Sequence, residues 1–249
     1  MGHADESNIP ELRARLTAVL SQVRRGSTVA DVGTDHAHLP IALCMLGIAE
    51  RVIASDVRDG PIASARENIG AYGLTDRITV VKTDGLHGIE AYDPDDVLIS
   101  GMGGELIVRI LGEAPFVKKI GKRLVLQPQT HPELVRGYLA ENGFRIVCET
   151  VAEDDGGRLY QIVTAEYDGT VRAVEDSPAA KCALLLGERG MGQDPDLYRA
   201  LAERHRGVLA RRVEGKRSAE RISEKDDTAE DEAILACIRA MLDEGGSDL

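Results

Sequence analysis

The stretch Val29-Ala30-Asp31-Val32-Gly33-Thr34-Asp35-His36-Ala37-His38-Leu39-Pro40 decides how this chain is read. Its first residues form a short apolar run, the middle ones a tight polar turn, and the last ones the opening of a helix. Strand end, turn and helix N-terminus in that order bring free backbone N–H groups to one edge, where a charged or nucleotide-like ligand can dock. Asp31 at the strand end and Asp35 in the turn would both repel a pyrophosphate, so a ligand with positive charge, or with hydroxyls to donate, suits the edge better. On these residues alone an ordinary strand-to-helix turn is the alternative.

Working outward, strands and helices alternate at the rhythm of a parallel sheet. Upstream, apolar residues at Leu12, Leu16, Val19, Leu20 and Val23 predict a helix over Pro10 to Arg25 that stops at Gly26. Downstream, the strand Thr28 to Val32 is followed by a helix over Pro40 to Leu46 and a strand over Arg51 to Ser55 that ends at Asp56. A helix from Gly60-Pro61 to Gly73 leads to the strand Ile78 to Lys82 and a turn holding Asp84-Gly85. The strand Asp96 to Ile99 ends at Ser100, and after Gly101-Met102-Gly103-Gly104 come a helix through Leu106, Ile107, Ile110 and Leu111 and the strand Arg123 to Gln127. A helix from Pro132 to Asn142 then gives way to two strands, Phe144 to Val151 and Arg158 to Tyr167, around the hairpin signal Asp154-Asp155-Gly156-Gly157. An alternating series closed by a hairpin describes a doubly wound sheet with a reversed edge strand.

Beyond Asp168 only helix formers remain: Ala179 to Leu186, a loop at Gly190 to Pro195, a helix from Asp196 towards Arg221, a polar break at Ser223 to Thr228, and Ala229 to Leu242, with Asp243 to Leu249 read as a disordered tail. Two helices joined by a short link predict an antiparallel hairpin.

A chain of 249 residues with 43% hydrophobic content can bury a large core. Met1 to Glu11 is polar and acidic and no apolar run is long enough for a membrane span, so neither a signal peptide nor membrane association is expected, and the chain reads as cytoplasmic. Cys44, Cys148, Cys182 and Cys237 are scattered through apolar segments, which points to buried thiols and to no metal. A net charge of −12 excludes a protein that grips nucleic acid with its whole surface, but leaves room for a local basic face. Nothing fixes the oligomeric state; a monomer is the simplest expectation.

Ligands of an open doubly wound sheet bind outside the carboxyl ends of the strands. Gathered there are Asp31, Gly33, Thr34, Asp35 and His36, then Asp56-Val57, Asp84-Gly85, Ser100 to Gly104, and Gln127-Pro128-Gln129. Asp56 lies 25 residues after Asp31, near the spacing of about 20 expected of a carboxylate that accepts ribose hydroxyls. Asp84 is placed to accept from an exocyclic amine such as adenine N6. For each acid singly, a solvated or capping role is the alternative. The first turn lacks the glycine fingerprint of dinucleotide binding, which disfavours NAD and FAD. S-adenosylmethionine, with an amine and a sulfonium, tolerates acids that a pyrophosphate would not.

Taken together, the motif Asp31-Val-Gly-Thr-Asp-His-Ala-His-Leu-Pro40, Ala54-Ser-Asp-Val57, Thr83-Asp-Gly-Leu86, Ile99-Ser-Gly-Met-Gly-Gly104, Leu126-Gln-Pro-Gln129 and Tyr160-Gln-Ile-Val163 resemble the bacterial tRNA (adenine22-N1)-methyltransferase family over nearly the whole chain. His38 stands where that family suggests a tyrosine, and Gln129 where it suggests an asparagine. The resemblance implies an α/β fold, a doubly wound Rossmann-like seven-stranded methyltransferase sheet over residues 1–168, with a C-terminal helical coiled-coil hairpin domain over 169–249. It implies S-adenosyl-L-methionine as cofactor, tRNA as partner and N1 of adenine 22 as target. Carried over by position, Asp31, Gly33, Thr34, Asp35, His36, Asp56, Val57, Asp84, Gly85 and Gly101 would hold the cofactor, and Ser100, Gly101, Met102, Gln127 and Gln129 would face the target base. Gln127 and Gln129 could bind the base edge or cap the following helix. His36, His38, His87 and His131 read as structural or ligand-orienting. A methyltransferase of the same fold acting on another RNA or a small molecule, or a cofactor-binding protein without catalysis, are the alternatives.

Between Arg199 and Arg221 eight cations face three acids. Arg204, Arg211, Arg212 and Lys216 are therefore candidates to lie along tRNA phosphates. The alternative is that they pair with the acidic second helix, through Glu224, Asp226, Asp227, Glu230, Asp231 and Glu232.

Overall fold

Runs such as Val97-Leu98-Ile99 and Leu124-Val125-Leu126 have no polar face, and in the computed structural model all six residues are fully buried. They are central strands of a sheet covered on both sides. The structure describes residues 9–188, 194–218 and 228–244. Strands β1 (Ser27–Val32), β2 (Ala49–Asp56), β3 (Ile78–Lys82), β4 (Asp96–Gly103), β5 (Arg123–Thr130), β6 (Phe144–Glu153) and β7 (Leu159–Tyr167) form one seven-stranded sheet in the order β3-β2-β1-β4-β5-β7-β6. Helices α1 (Ala14–Leu20), α2 (His38–Met45) and α3 (Asp59–Ala71) belong to one face. Helices α4 (Gly104–Gly112) and α5 (Pro132–Glu141) belong to the other. Alternate residues of one strand serve opposite cores: Val29 packs with the first set and Ala30 and Val32 with the second.

Strand order reverses between β1 and β4, so the ends of these two strands open the crevice in which ligands of such sheets bind. The reversed strand is β7, antiparallel to both neighbours, and it lies one place in from the edge, which β6 occupies. A hairpin can insert its second strand next to β5 and leave its first strand outermost, an arrangement the order of the chain does not reveal.

Helix α1 is shorter than its apolar spacing predicts. The chain leaves it at Ser21, whose hydroxyl donates to Ala18 O at 2.8 Å. Arg24 is then captured by the fully buried Asp96, which accepts its backbone N–H at 2.8 Å and its Nε at 2.7 Å. Strand β4 is longer than predicted. It runs to Gly103 through two bulges and keeps pairing Met102 with Pro128 and Gly103 with Thr130, so the Ser100 to Gly103 segment is bulged strand, not a free loop.

After β7 come α6 (Pro178–Leu186), α7 (Pro195–Ser218) and α8 (Ala229–Glu244). Ser177 caps α6 by accepting from Ala180 N at 3.2 Å. Arg217 meets Glu232 while Arg199 reaches Leu242 O, so α7 and α8 run antiparallel. Their core includes Val151 of β6 and Leu159 of β7, which docks the helices on the sheet's last hairpin. Most of the Gly190 to Pro195 loop, the link from Ser223 up to Thr228, the end of the predicted helix at Arg221 and most of the tail lie outside the described residues. No described helix is long and apolar enough to cross a membrane.

Candidate active site

The turn after β1 is held in an unusual backbone conformation. Gly33, Asp35 and Ala37 all have positive φ, at 79°, 51° and 58°. For the two non-glycine residues this costs about 1 kcal/mol or more each, and neighbouring contacts must hold it. Ser55 O, at the end of β2, accepts Gly33 N–H at 2.8 Å and Thr34 N–H at 2.9 Å, and Asn68 of α3 donates to His36 O at 2.9 Å. The alternation of left-handed residues turns the Asp35 and His36 side chains outward, while Asp31 and Thr34 stay buried.

Opposite this turn lies the end of β4. Gly101 has φ 82°, and a Cβ there would sit 2.9 Å from Arg15 Nη1. Gly104 is fitted against the β5–α5 turn so closely that a Cβ would come within 2.2 Å of His131 O. The two turns touch: a Cβ on Gly33 would meet Met102 Cε at 2.5 Å. Glycine is therefore favoured at Gly33 and Gly101 by positive φ, and required at Gly104 by the close approach of backbone.

Between the turns is a cleft of about 240 Å³. Of the residues expected to form a site, Asp31, Gly33, Thr34, Asp35, His36, Ser100, Gly101 and Gln129 line it together, with His38, Arg58 and Arg15 beside them. Asp56, Val57, Asp84 and Gly85 do not line it and sit at the neighbouring ends of β2 and β3. Asp56 is buried, and its Oδ1 accepts the backbone N–H of Arg58 at 2.9 Å. Asp84 is exposed and paired with Arg109, 3.0 Å away, which holds its carboxyl below the usual range. Gly85, at φ 59°, packs against Ile110.

Gln127 needs correction as a residue that reaches a base edge. It is fully buried. Its Oε1 accepts from Gly101 N at 3.0 Å and from Arg15 Nη1 at 3.2 Å, while its Nε2 donates to Pro128 O at 3.1 Å. With its amide spent in this way it clamps the end of β4. Gln129 is exposed at the cleft mouth with no hydrogen bond among the described residues.

Arg15 escaped sequence reasoning. It projects from α1 across the strand ends, donates through Nη1 to Ser100 Oγ at 3.3 Å and to Gln127, and has no partner for Nε or Nη2 among the described residues. Burial lowers its pKa, opposed by the fields of Tyr160 and Asp31. Asp31 is pushed up to about 6, chiefly by burial, with Thr34 and Arg15 pulling the other way. Thr34 Oγ1 is buried near enough to ease that charge, yet makes no well-formed hydrogen bond. The site thus combines acceptor carboxylates at successive strand ends, an orphaned hydroxyl, and a turn whose Gly33 holds a positive φ. A ligand that brings an amine and hydroxyls fits these groups.

On the basic helix, Arg212 and Lys216 both bond Asp231 of α8, and Arg217 pairs with Glu232. Arg204 is exposed and donates to Leu159 O at 3.2 Å. Arg211 is exposed and has no ion pair among the described residues.

A family model described as a methyltransferase domain matches residues 12–163. The tRNA (adenine(22)-N(1))-methyltransferase of Bacillus subtilis is 36% identical over 178 residues, covering 71% of this chain and 74% of that protein. The crystal structure of the B. subtilis m1A22 tRNA methyltransferase superimposes with a TM-score of 0.78 at 25% identity, covering 93% of this chain and 99% of that one. A Streptococcus pneumoniae protein solved in complex with S-adenosyl-L-methionine does so with a TM-score of 0.76 at 28% identity, covering 93% of this chain and 100% of its own.

Proposed function

The chain belongs to the tRNA (adenine22-N1)-methyltransferase family, and we propose that it transfers a methyl group from S-adenosyl-L-methionine to N1 of adenine 22 in tRNA. The observation that carries this is the cleft at the reversal of strand order, where Asp31 and the Gly33–His36 turn face Ser100, Gly101 and Gln129. When bound, S-adenosyl-L-methionine supplies an electrophilic methyl group on a sulfonium. Asp31, Thr34, Asp35 and His36 order its amine end, and Gly33 and Gly101 let the backbone approach it. Asp56 Oδ2, which Arg58 leaves free, accepts ribose hydroxyls, and Val57, Asp84 and Gly85 border the adenine.

Adenine N1 has a lone pair at neutral pH, so no residue has to remove a proton before transfer. The chain contributes orientation and exclusion of water. Gln129 is the side chain free to bind the base edge, Ser100 and Gly101 shape its seat, and Met102 braces the two turns. Arg15 offers Nε and Nη2 to a phosphate oxygen of the target nucleotide. In our division of labour, residues 1–168 carry out the transfer and residues 169–249 hold RNA through exposed Arg204 and Arg211, while Arg212 and Lys216 hold Asp231, in a cytoplasmic enzyme. Purified protein incubated with labelled S-adenosyl-L-methionine and unmodified tRNA transfers label to the RNA. Absence of label from tRNA with cofactor binding intact rejects the substrate.

A further inference from the structure

A second and larger groove, of about 540 Å³, lies between the β5–α5 turn, the β6–β7 hairpin and the three C-terminal helices. Gln129 lines both it and the cleft, so the two are adjacent. Its apolar walls come from α6 and α7, through Leu184, Leu185, Leu201 and Val208, and Gln161 of β7 and His205 of α7 are among its polar groups.

A chain of buried bonds fixes the protons there. Glu149 Oε1 accepts from Arg136 Nε at 2.7 Å, and Arg136 Nη2 donates to Gln161 Oε1 at 2.7 Å. Gln161 Nε2 is thereby the end left to donate, and it lies 3.4 Å from His205 Nε2. That nitrogen accepts, so the ring proton sits on Nδ1, which has no partner among the described residues. Burial first, then the neighbouring Arg204 and Arg136, push the His205 pKa down to about 4 and keep the ring neutral.

Apolar walls, a neutral imidazole and one unspent N–H are the complement of a nucleobase, whose faces are apolar and whose edge carries acceptors. The volume is in the range of small-molecule sites. The rim offers a polyanion the exposed Arg204: of the groove's three acids, Asp231 and Glu230 are neutralised by Arg212 and Lys181, and Glu133 lies 2.9 Å from His131 Nδ1. The lining runs from Gln129 at the cleft to Arg204 and Arg212 on the basic helix, so the groove lies between the two.

We propose that the groove receives an unpaired nucleobase of the tRNA, splayed out beside the adenine presented to the cleft, with His205 Nδ1–H donating to that base's acceptor edge. The inference rests on the tRNA reading above. His205→Phe keeps a ring and removes the donor; Val208→Trp, at a residue 45% exposed, fills the groove from its outer wall. Each raises the Kd for tRNA about tenfold, the scale of one lost hydrogen bond or base contact, with the affinity for S-adenosyl-L-methionine unchanged. A tRNA transcript with an abasic residue at one of the two nucleotides flanking adenine 22 binds the wild-type protein about tenfold more weakly, and His205→Phe adds no further loss on that RNA. Wild-type tRNA affinity in both variants, or additive losses on the abasic RNA, overturns the groove assignment and leaves methylation standing. Failure of the wild-type protein to methylate any tRNA overturns the reading beneath it.

Discussion

Asp31 opposes stability in order to serve the cleft. Its carboxyl ionises near 6, against an ordinary value of 3.8, because burial strips water from the charge. Below about pH 4 the folded and unfolded chains are both protonated there. Between about pH 4 and 6 the unfolded chain ionises there while the folded chain holds its proton, and this difference removes up to about 3 kcal/mol of stability, fully lost above 6. Asp31→Asn is therefore more stable than wild type at pH 8, with the advantage gone near pH 4, and it binds S-adenosyl-L-methionine more weakly. Urea unfolding at the two pH values and calorimetric titration measure both, and a variant less stable than wild type at pH 8 contradicts the account of Asp31. The acids of the first turn were legible in the sequence because strand, turn and helix signals are local. Arg15 was not: it acts on Ser100 and Gln127 across separations of 85 and 112 residues, which only the fold brings together. The burial of Gln127 was hidden for the same reason.

Among the elements, the parallel series and the hairpin could be read from composition and turn residues. The ends depart from the local pattern wherever a tertiary contact outweighs it. Helix α1 stops early because Asp96 holds Arg24, and β4 runs on because Gly101 and Gly103 permit bulges opposite Pro128 and Thr130. The junction between sheet and C-terminal helices also depends on distant partners. Arg136 and Glu149, both buried, form an ion pair whose remaining donors and acceptors take up Leu184 O, Gln161 and Glu188 N. A buried pair that loses one partner leaves an uncompensated charge. Glu149→Gln accordingly costs about 3 kcal/mol in unfolding free energy and speeds amide hydrogen exchange in α6 more than in β1 or β4. Wild-type exchange in α6 would show that the pair does not fasten the helices.

For the molecule as a whole, a charge of −12 conceals a basic ridge, and the ridge is itself divided. Arg212 and Lys216 are committed to Asp231, whereas exposed Arg211 has no ion pair among the described residues. Arg211→Ala weakens tRNA binding and reduces the slope of log Kd against log salt by about one unit, with little change in Tm. Arg212→Ala lowers Tm as well, because it strips a partner from buried Asp231. Equal behaviour of the two variants contradicts this division. The charge excess was visible in the sequence; which cations were already spent was not, since pairing depends on how α7 and α8 align. The most direct measurement is reverse transcription across tRNA treated with the protein and S-adenosyl-L-methionine. Methylation at N1 blocks base pairing, so extension stops next to adenine 22, and the stop disappears when that adenine is replaced by guanine. Full-length extension through adenine 22 in fully treated tRNA, or a stop at another nucleotide, contradicts the assignment.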